Sequence, residues 1–275
     1  MIRFLIPIAA SLLAVSTAQA DWALNMPVGV TDLSAETYDL HMMVLGVCTL
    51  AGAATFAVMI YSLVNFRKSQ GAEPATWSHD TKAEIIWTII PTLIMIALVI
   101  PAAQTLVKIE DTRNTEMTIM ITGYQWKWHY EYIGANYSFY SSLAQSSNEA
   151  RRLGADIDVY AVENYLLDVD RHLVVPADTK IRYLITSNDV LHAWWVPAIA
   201  IKKDAIPGYV NEGWFKVNEP GIYRGQCAEL CGKDHGFMPI VLEVLPKEDF
   251  VAWISARRDG KAVATSGPTA TKTAG

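Results

Sequence analysis

A chain of 275 residues can hold one or two domains, and its 52% apolar against 18% charged residues are unlike an ordinary soluble protein and fit one partly embedded in lipid. The formal net charge of -6, with no visible basic patch, argues against a nucleic-acid partner, because phosphate binding needs clustered Lys and Arg.

Residues 1–20 read as a signal peptide. Arg3 supplies a positive start, residues 4–15 an apolar core, and Ala18-Gln19-Ala20 a small-x-small cleavage site before Asp21. That core is shorter than the about 20 residues needed to cross a bilayer. An uncleaved anchor helix is the plain alternative. Residues 21–39 then form a periplasmic N-terminal segment.

Residues 40–66 and 85–107 contain no Asp, Glu, Lys or Arg, and both runs are long enough to span about 30 Å of hydrocarbon. They are read as transmembrane helices. Asp21, Asp32, Glu36 and Asp39 precede the first, whereas Arg67, Lys68 and Lys82 lie in the connecting loop, 67–84. The positive-inside rule makes that loop cytoplasmic and both termini periplasmic. Thr81-Lys82-Ala83-Glu84 has the form of a capping box opening the second span. Pro91 and Pro101 within that span need neighbouring helices to satisfy the backbone, a hint of a larger membrane assembly. Cys48, inside the first run, is expected to be a small packing residue.

The character turns strand-like after residue 107. Tyr124, Trp126, Trp128, Tyr130 and Tyr132 alternate with polar residues and predict one half-buried strand with an aromatic face. Short β-runs follow at 173–175, 181–186, 194–196, 214–217, 222–223 and 240–244, broken by Pro207-Gly208 and Pro220-Gly221. This spacing suggests a sandwich or barrel. Pro246 and the acids after it predict a short closing helix. Residues 259–275, mostly Ala, Thr, Gly and Ser, are expected to be a disordered tail.

The densest chemistry lies at Cys227-Ala-Glu-Leu-Cys231-Gly-Lys-Asp-His235-Gly-Phe-Met238. Two thiols, an imidazole and a thioether within one loop select a soft metal. Softness and spacing favour copper, with a Cys227–Cys231 disulfide and structural zinc as alternatives. A mononuclear blue-copper site needs only one Cys. Two thiolates make sense if they bridge two coppers, which requires a second imidazole. His192, following a β-run, is the best candidate, whereas His41 and His79 flank the spans and His129 and His172 lack ligand context.

With these residues in place, the hairpin together with GYQWKWHYEY, NDVLHAWWVP, KKDAIPG and GQCAELCGKDHGFMP closely resembles subunit II of the cytochrome c oxidases over about residues 30–255. The resemblance implies a membrane-anchored fold: a two-helix transmembrane hairpin followed by an all-β cupredoxin (Greek-key barrel) domain, residues 115–258, that carries a binuclear CuA centre. It implies His192, Cys227, the backbone carbonyl of Glu229, Cys231, His235 and Met238 as ligands of two Cu ions. It further implies the Glu229 side chain as a ligand of Mg²⁺ or Mn²⁺ shared with subunit I. Trp126 would be the point at which cytochrome c delivers electrons, and Glu84 would lie at the mouth of a proton pathway. Plainer readings are a solvated carboxylate for Glu229, a core aromatic for Trp126 and a helix cap for Glu84.

The implied activity is electron transfer from cytochrome c to the haem and copper of subunit I, where O2 is reduced to water with proton pumping, in a bacterial inner membrane beside subunits I and III and lipid. A copper-delivery membrane protein or a quinol oxidase subunit II are the rival functions. The latter typically lacks the copper ligands. Two positions depart from the family pattern: Tyr124 stands where His is common, and Tyr209 where Arg usually follows Pro-Gly. No CxxCH motif for a fused haem c domain is present. Between residues 133 and 170, Glu149, Asp156, Asp158, Glu163, Asp168 and Asp170 face only Arg151 and Arg152 in number. This is expected to be a docking surface for a lysine-rich cytochrome c.

Overall fold

The structure is a computed structural model that describes residues 25–258. The expected signal peptide and the expected C-terminal tail lie outside the described residues.

Two antiparallel helices open the fold, α1 (Asp32–Asn65) and α2 (Thr81–Ile109), with mean hydropathies of 2.2 and 2.4 over their most apolar windows. Lys108 at the end of α2 pairs with Glu36 near the start of α1 at 2.7 Å. Their apolar side chains are exposed on every side, as helices in lipid or against another membrane subunit require. The chain has two membrane spans.

Helix α1 starts well before the apolar run because Thr31 caps it. The Thr31 hydroxyl accepts the Ser34 N–H, and the Ser34 hydroxyl accepts the Thr31 N–H. The box expected at Thr81–Glu84 does not form. Asp80, one residue earlier, caps α2 by accepting from the N–H groups of Lys82 and Ala83 at 2.9 and 3.0 Å. A carboxylate at that position, facing the positive end of the helix dipole, outcompetes a hydroxyl. Cys48 is not packed but exposed on α1, since no element of the described chain covers that face.

The remainder is a sandwich of two five-stranded sheets. The first has the order β3 (Tyr137–Ser141), β2 (Lys127–Tyr132), β1 (Met117–Tyr124), β5 (Ile181–Ser187), β8 (Asn211–Phe215). The second runs β4 (Leu173–Pro176), β10 (Pro239–Leu245), β9 (Gly221–Cys227), β6 (His192–Val196), β7 (Ile201–Ala205). β1 lies parallel to β5 and β4 parallel to β10, so strands distant in sequence close each sheet in a mixed, Greek-key-like arrangement consistent with a cupredoxin. A short helix α3 (Gln145–Ala150) lies between β3 and β4, and α4 (Lys247–Arg258) follows β10.

The aromatic alternation of residues 124–132 is not one strand. Tyr124 pairs with Lys127 across a two-residue turn at Gln125-Trp126, making β1 and β2 a hairpin. The turn changes which face each residue takes. Trp128, Tyr130 and Tyr132 are buried together with Ile119 and Ile121, while Tyr124 lies on the outer face beside His129 and Tyr140. The core also takes Trp194 and Phe215, with Trp194 donating to the Tyr130 hydroxyl at 3.2 Å. Each such buried aromatic contributes about 1.5–3 kcal/mol.

The lobe is pinned to the membrane helices. Trp214 Nε1 donates to the Lys108 carbonyl at 3.0 Å, and Lys180 Nζ to the carbonyls of Asp111 and Arg113 at 2.7 and 2.8 Å.

Candidate metal centre

The site forms where the end of β9 meets the start of β6. Antiparallel pairing of Trp194 with Cys227 and of Trp195 with Gln226 puts the first residue of β6, His192, beside the last of β9, Cys227. This pairing needs glycine at 225, because a Cβ there would lie 2.0 Å from the Trp195 carbonyl oxygen. The loop after β9 then folds back through a 3-10 turn, His235–Phe237, and enters β10 directly after Met238.

The donors converge. His192 Nδ1 lies 3.8 Å from Cys227 Sγ, and His235 Nδ1 3.4 Å from Cys231 Sγ. The two sulfurs are 3.9 Å apart, so they are free thiols rather than a disulfide. Met238 Sδ is 3.5 Å from Cys231 Sγ, and the Glu229 carbonyl 3.4 Å from Cys227 Sγ. Ligand atoms of His192, Cys227 and Cys231, all three buried, lie within 4.8 Å of one another. Soft sulfur, imidazole and carbonyl donors around one small volume fit copper in both number and kind.

Electrostatics prepare these groups unequally. Burial raises the Cys227 thiol, but its interaction with His192 and with the backbone at Glu229 and Ala193 outweighs burial and leaves Cys227 lowered. Burial, together with the charge of Cys227, pushes Cys231 up to about 12. Metal binding must therefore expel a proton from this pair. His192 is lowered by burial yet ends raised, through its bonds to Cys227 and Asp189.

Around the donors stands a set of supports that sequence reading did not identify. Asp189 Oδ1 is 2.9 Å from His192 Nε2, and its Oδ2 accepts the Gln125 N–H at 2.7 Å. Gln125 Nε2 and Trp126 Nε1 both donate to the Cys231 carbonyl, at 2.8 and 3.2 Å. Arg151 reaches the loop from α3. The sequence signals for Asp189 and Gln125 were proximity only, three residues before His192 and one before Trp126; Arg151 offered none.

Of the remaining singled-out residues, only Trp126 touches the donor loop. Trp126 is half-buried in the β1–β2 turn, bonded to the loop. The Glu229 side chain is exposed. Glu84 is exposed in the first turn of α2, its N–H bonded to the Asp80 carbonyl at 3.0 Å. Tyr209 is 60% exposed. His172 sits between Asp168 and Glu243 in a salt-bridge cluster.

Comparison with known proteins bears on what this centre belongs to. The family described as cytochrome C oxidase subunit II matches in two parts, its transmembrane domain over residues 19–105 and its periplasmic domain over residues 117–245. The probable cytochrome c oxidase subunit 2 of Rickettsia bellii is 35% identical over 236 residues, which cover 86% of this chain and 84% of the relative. Cytochrome c oxidase subunit 2 of Arabidopsis thaliana is 35% identical over 239 residues, covering 86% of this chain and 90% of the relative. Among solved structures, the periplasmic domain of subunit II of cytochrome oxidase from Bradyrhizobium japonicum is 39% identical, covers 55% of this chain and 99% of its own, and superposes with a TM-score of 0.47. With two membrane spans, a cupredoxin-like lobe and both family domains in sequence order, the chain belongs to the cytochrome c oxidase subunit II family.

Proposed function

We propose that this chain is the electron-accepting subunit of a proton-pumping cytochrome c oxidase, holding two copper ions as a CuA centre. His192, Cys227, the Glu229 carbonyl, Cys231, His235 and Met238 are the ligands. The observation that carries this reading is the pairing of each thiol with its own imidazole, Cys227 with His192 and Cys231 with His235. Two copper ions held by these residues would supply a one-electron carrier between cytochrome c and subunit I, the site of O2 reduction.

The chain's own residues fix the donors and exclude water. Asp189 is an acceptor-only carboxylate, so His192 donates from Nε2 and turns a free Nδ1 lone pair inward. Burial of His192, Cys227, Cys231 and Met238 keeps the site dry, and β6 and β9 fix His192 and Cys227. Trp126 is the electron input, supported by its bond to the Cys231 carbonyl. The exposed Glu229 carboxylate is free to take Mg²⁺ or Mn²⁺ together with subunit I, and exposed Glu84 to stand at the mouth of a proton path on the opposite membrane face. Arg67, Lys68 and Lys82 in the loop between the two helices support an orientation with the lobe and both termini in the periplasm of a bacterial inner membrane, and subunits I and III would pack on the uncovered helix faces.

Electron paramagnetic resonance of the copper-loaded full chain tests this. One unpaired electron shared over two copper nuclei is expected. A signal from isolated single coppers overturns the binuclear assignment.

A further inference from the structure

The turn that delivers His235 has little internal support. Gly232, Lys233 and Gly236 are exposed. Two backbone bonds close it, from the His235 N–H to the Gly232 carbonyl at 3.2 Å and from the Phe237 N–H to the Asp234 carbonyl at 2.9 Å. A single 3-10 turn held this way is a weak platform for a metal ligand.

The additional hold comes from Arg151, at the end of α3. Its Nη1 lies 3.4 Å from Asp234 Oδ1. Its guanidinium lies over the Phe237 ring, 4.2 Å from the centroid. Its Nε donates to Asn148 Oδ1 at 2.8 Å, which fixes the plane of the guanidinium. The side chain is only 26% exposed, so both the ion pair and the ring contact are partly shielded from water. Asp234 and Phe237 flank His235, and Met238 follows at once. α3 is itself anchored, since the buried Ser147 hydroxyl accepts the Leu166 N–H at 3.1 Å and the Ala144 N–H donates to the Asp168 carbonyl at 3.0 Å.

We infer that Arg151 is a positioning residue: it clamps the 235–237 turn to α3 and fixes where His235 and Met238 present their donors. The consequence for copper rests on the function proposed above, whereas the clamp does not. The geometry calls for arginine. Lysine can reach Asp234, but it cannot lie flat on Phe237 while also bonding Asn148. The segment between β3 and β4 therefore buttresses the metal loop in addition to forming surface.

Amide hydrogen exchange of the copper-free full chain in detergent, read over residues 232–238, tests the clamp, and the rate of copper loss to excess chelator tests its consequence. Arg151→Gln is expected to speed both by about tenfold, the loss of one cation–π contact and one partly exposed ion pair, while exchange in β1, β5 and β9 stays unchanged. Arg151→Lys is expected to fall between Arg151→Gln and the unaltered chain. Asn148→Ala, which leaves the charge and the ring contact, is expected to give a smaller change in the same direction. Unaltered exchange over 232–238 in both Arg151 variants overturns the clamp. Faster exchange throughout the lobe overturns it as well, because Arg151 is then a general stability residue. Faster loop exchange with unaltered copper loss overturns the positioning role. If the chain holds no copper while loop exchange still rises, the clamp stands and the proposed function fails.

Discussion

Asp189 ties the imidazole of His192 to the turn that carries Trp126: one carboxylate oxygen lies 2.9 Å from His192 Nε2 and the other accepts the Gln125 N–H at 2.7 Å. The same side chain thus sets the tautomer of one candidate ligand and the position of the candidate electron input. Asp189→Asn keeps the shape and removes the charge. Copper affinity is expected to fall by roughly 10- to 100-fold, the usual cost of losing a carboxylate behind a metal-bound histidine. Copper titration of the full chain measures this, and an affinity equal to that of the unaltered chain sinks the argument.

Gly123 determines the space for the same imidazole. A Cβ at this position would lie 2.8 Å from His192 Cδ2 and 3.0 Å from Cγ. The ring cannot yield readily, since Asp189 holds its far edge and Trp128 packs on it at 5.9 Å between centroids. Gly123→Ala is expected to cost about 1–3 kcal/mol of stability and to broaden the copper resonance as His192 is displaced. A sharp, unshifted resonance with full stability counts against this reading.

The sequence revealed the hairpin and the donor loop because both are local: an apolar run without charges, and soft ligands a few residues apart. His192 was legible only through chemistry, since a second imidazole was needed and one followed a β-run. What was hidden depends on pairing between distant strands. The two-residue turn at Gln125-Trp126 contains no Gly or Asn, and it hides inside an uninterrupted aromatic alternation. β7, with Lys202, Lys203 and Asp204 along an edge, carries too many charges to read as a strand, although charged edges are how sheets avoid further pairing. Arg151 acts across 83 residues of sequence, a relation no local pattern encodes.

His172 gives the lobe a pH dependence. It lies between Glu243 on β10, at 2.9 Å, and Asp168, at 3.6 Å, with Arg224 on β9 completing the cluster at 3.7 Å from Asp168. Burial lowers its pKa, but the two carboxylates outweigh burial and raise it from 6.5 to about 9. The raised value means that the cluster stabilises fully below pH about 6.5 and is lost as pH rises through about 9. Asp168, lowered mainly by its bond to His172, opposes this only at strongly acidic pH. Thermal melts are therefore expected to lose up to about 3 kcal/mol between neutral pH and pH 10. His172→Gln should flatten that loss, and a mutant with the same alkaline slope as the unaltered chain rejects the assignment.

Two charges of the expected docking surface are already engaged within the lobe. Asp168 is taken up by His172 and Arg224, and Arg151 by Asp234 and Phe237. Of the rest, Asp156, Asp158, Glu163 and Asp170 are exposed and Glu149 is half-buried, against the exposed Arg152. An outward field of this sign attracts a cationic donor and weakens with salt, because the screening length is about 10 Å at 0.1 M. Oxidation of cytochrome c by the assembled oxidase is expected to slow as ionic strength rises, and neutralising Asp156 and Asp158 together should lower the second-order rate and reduce that slope. Trp126, as the proposed electron input, would act at a different step. Trp126→Gln leaves the acidic surface and the copper ligands intact, so it should slow electron transfer by tenfold or more (an order-of-magnitude expectation) with copper content and salt slope unchanged. Stopped-flow kinetics separates the two effects: a salt-independent rate rejects the docking surface, and an unaltered transfer rate in Trp126→Gln rejects the indole as the route inward.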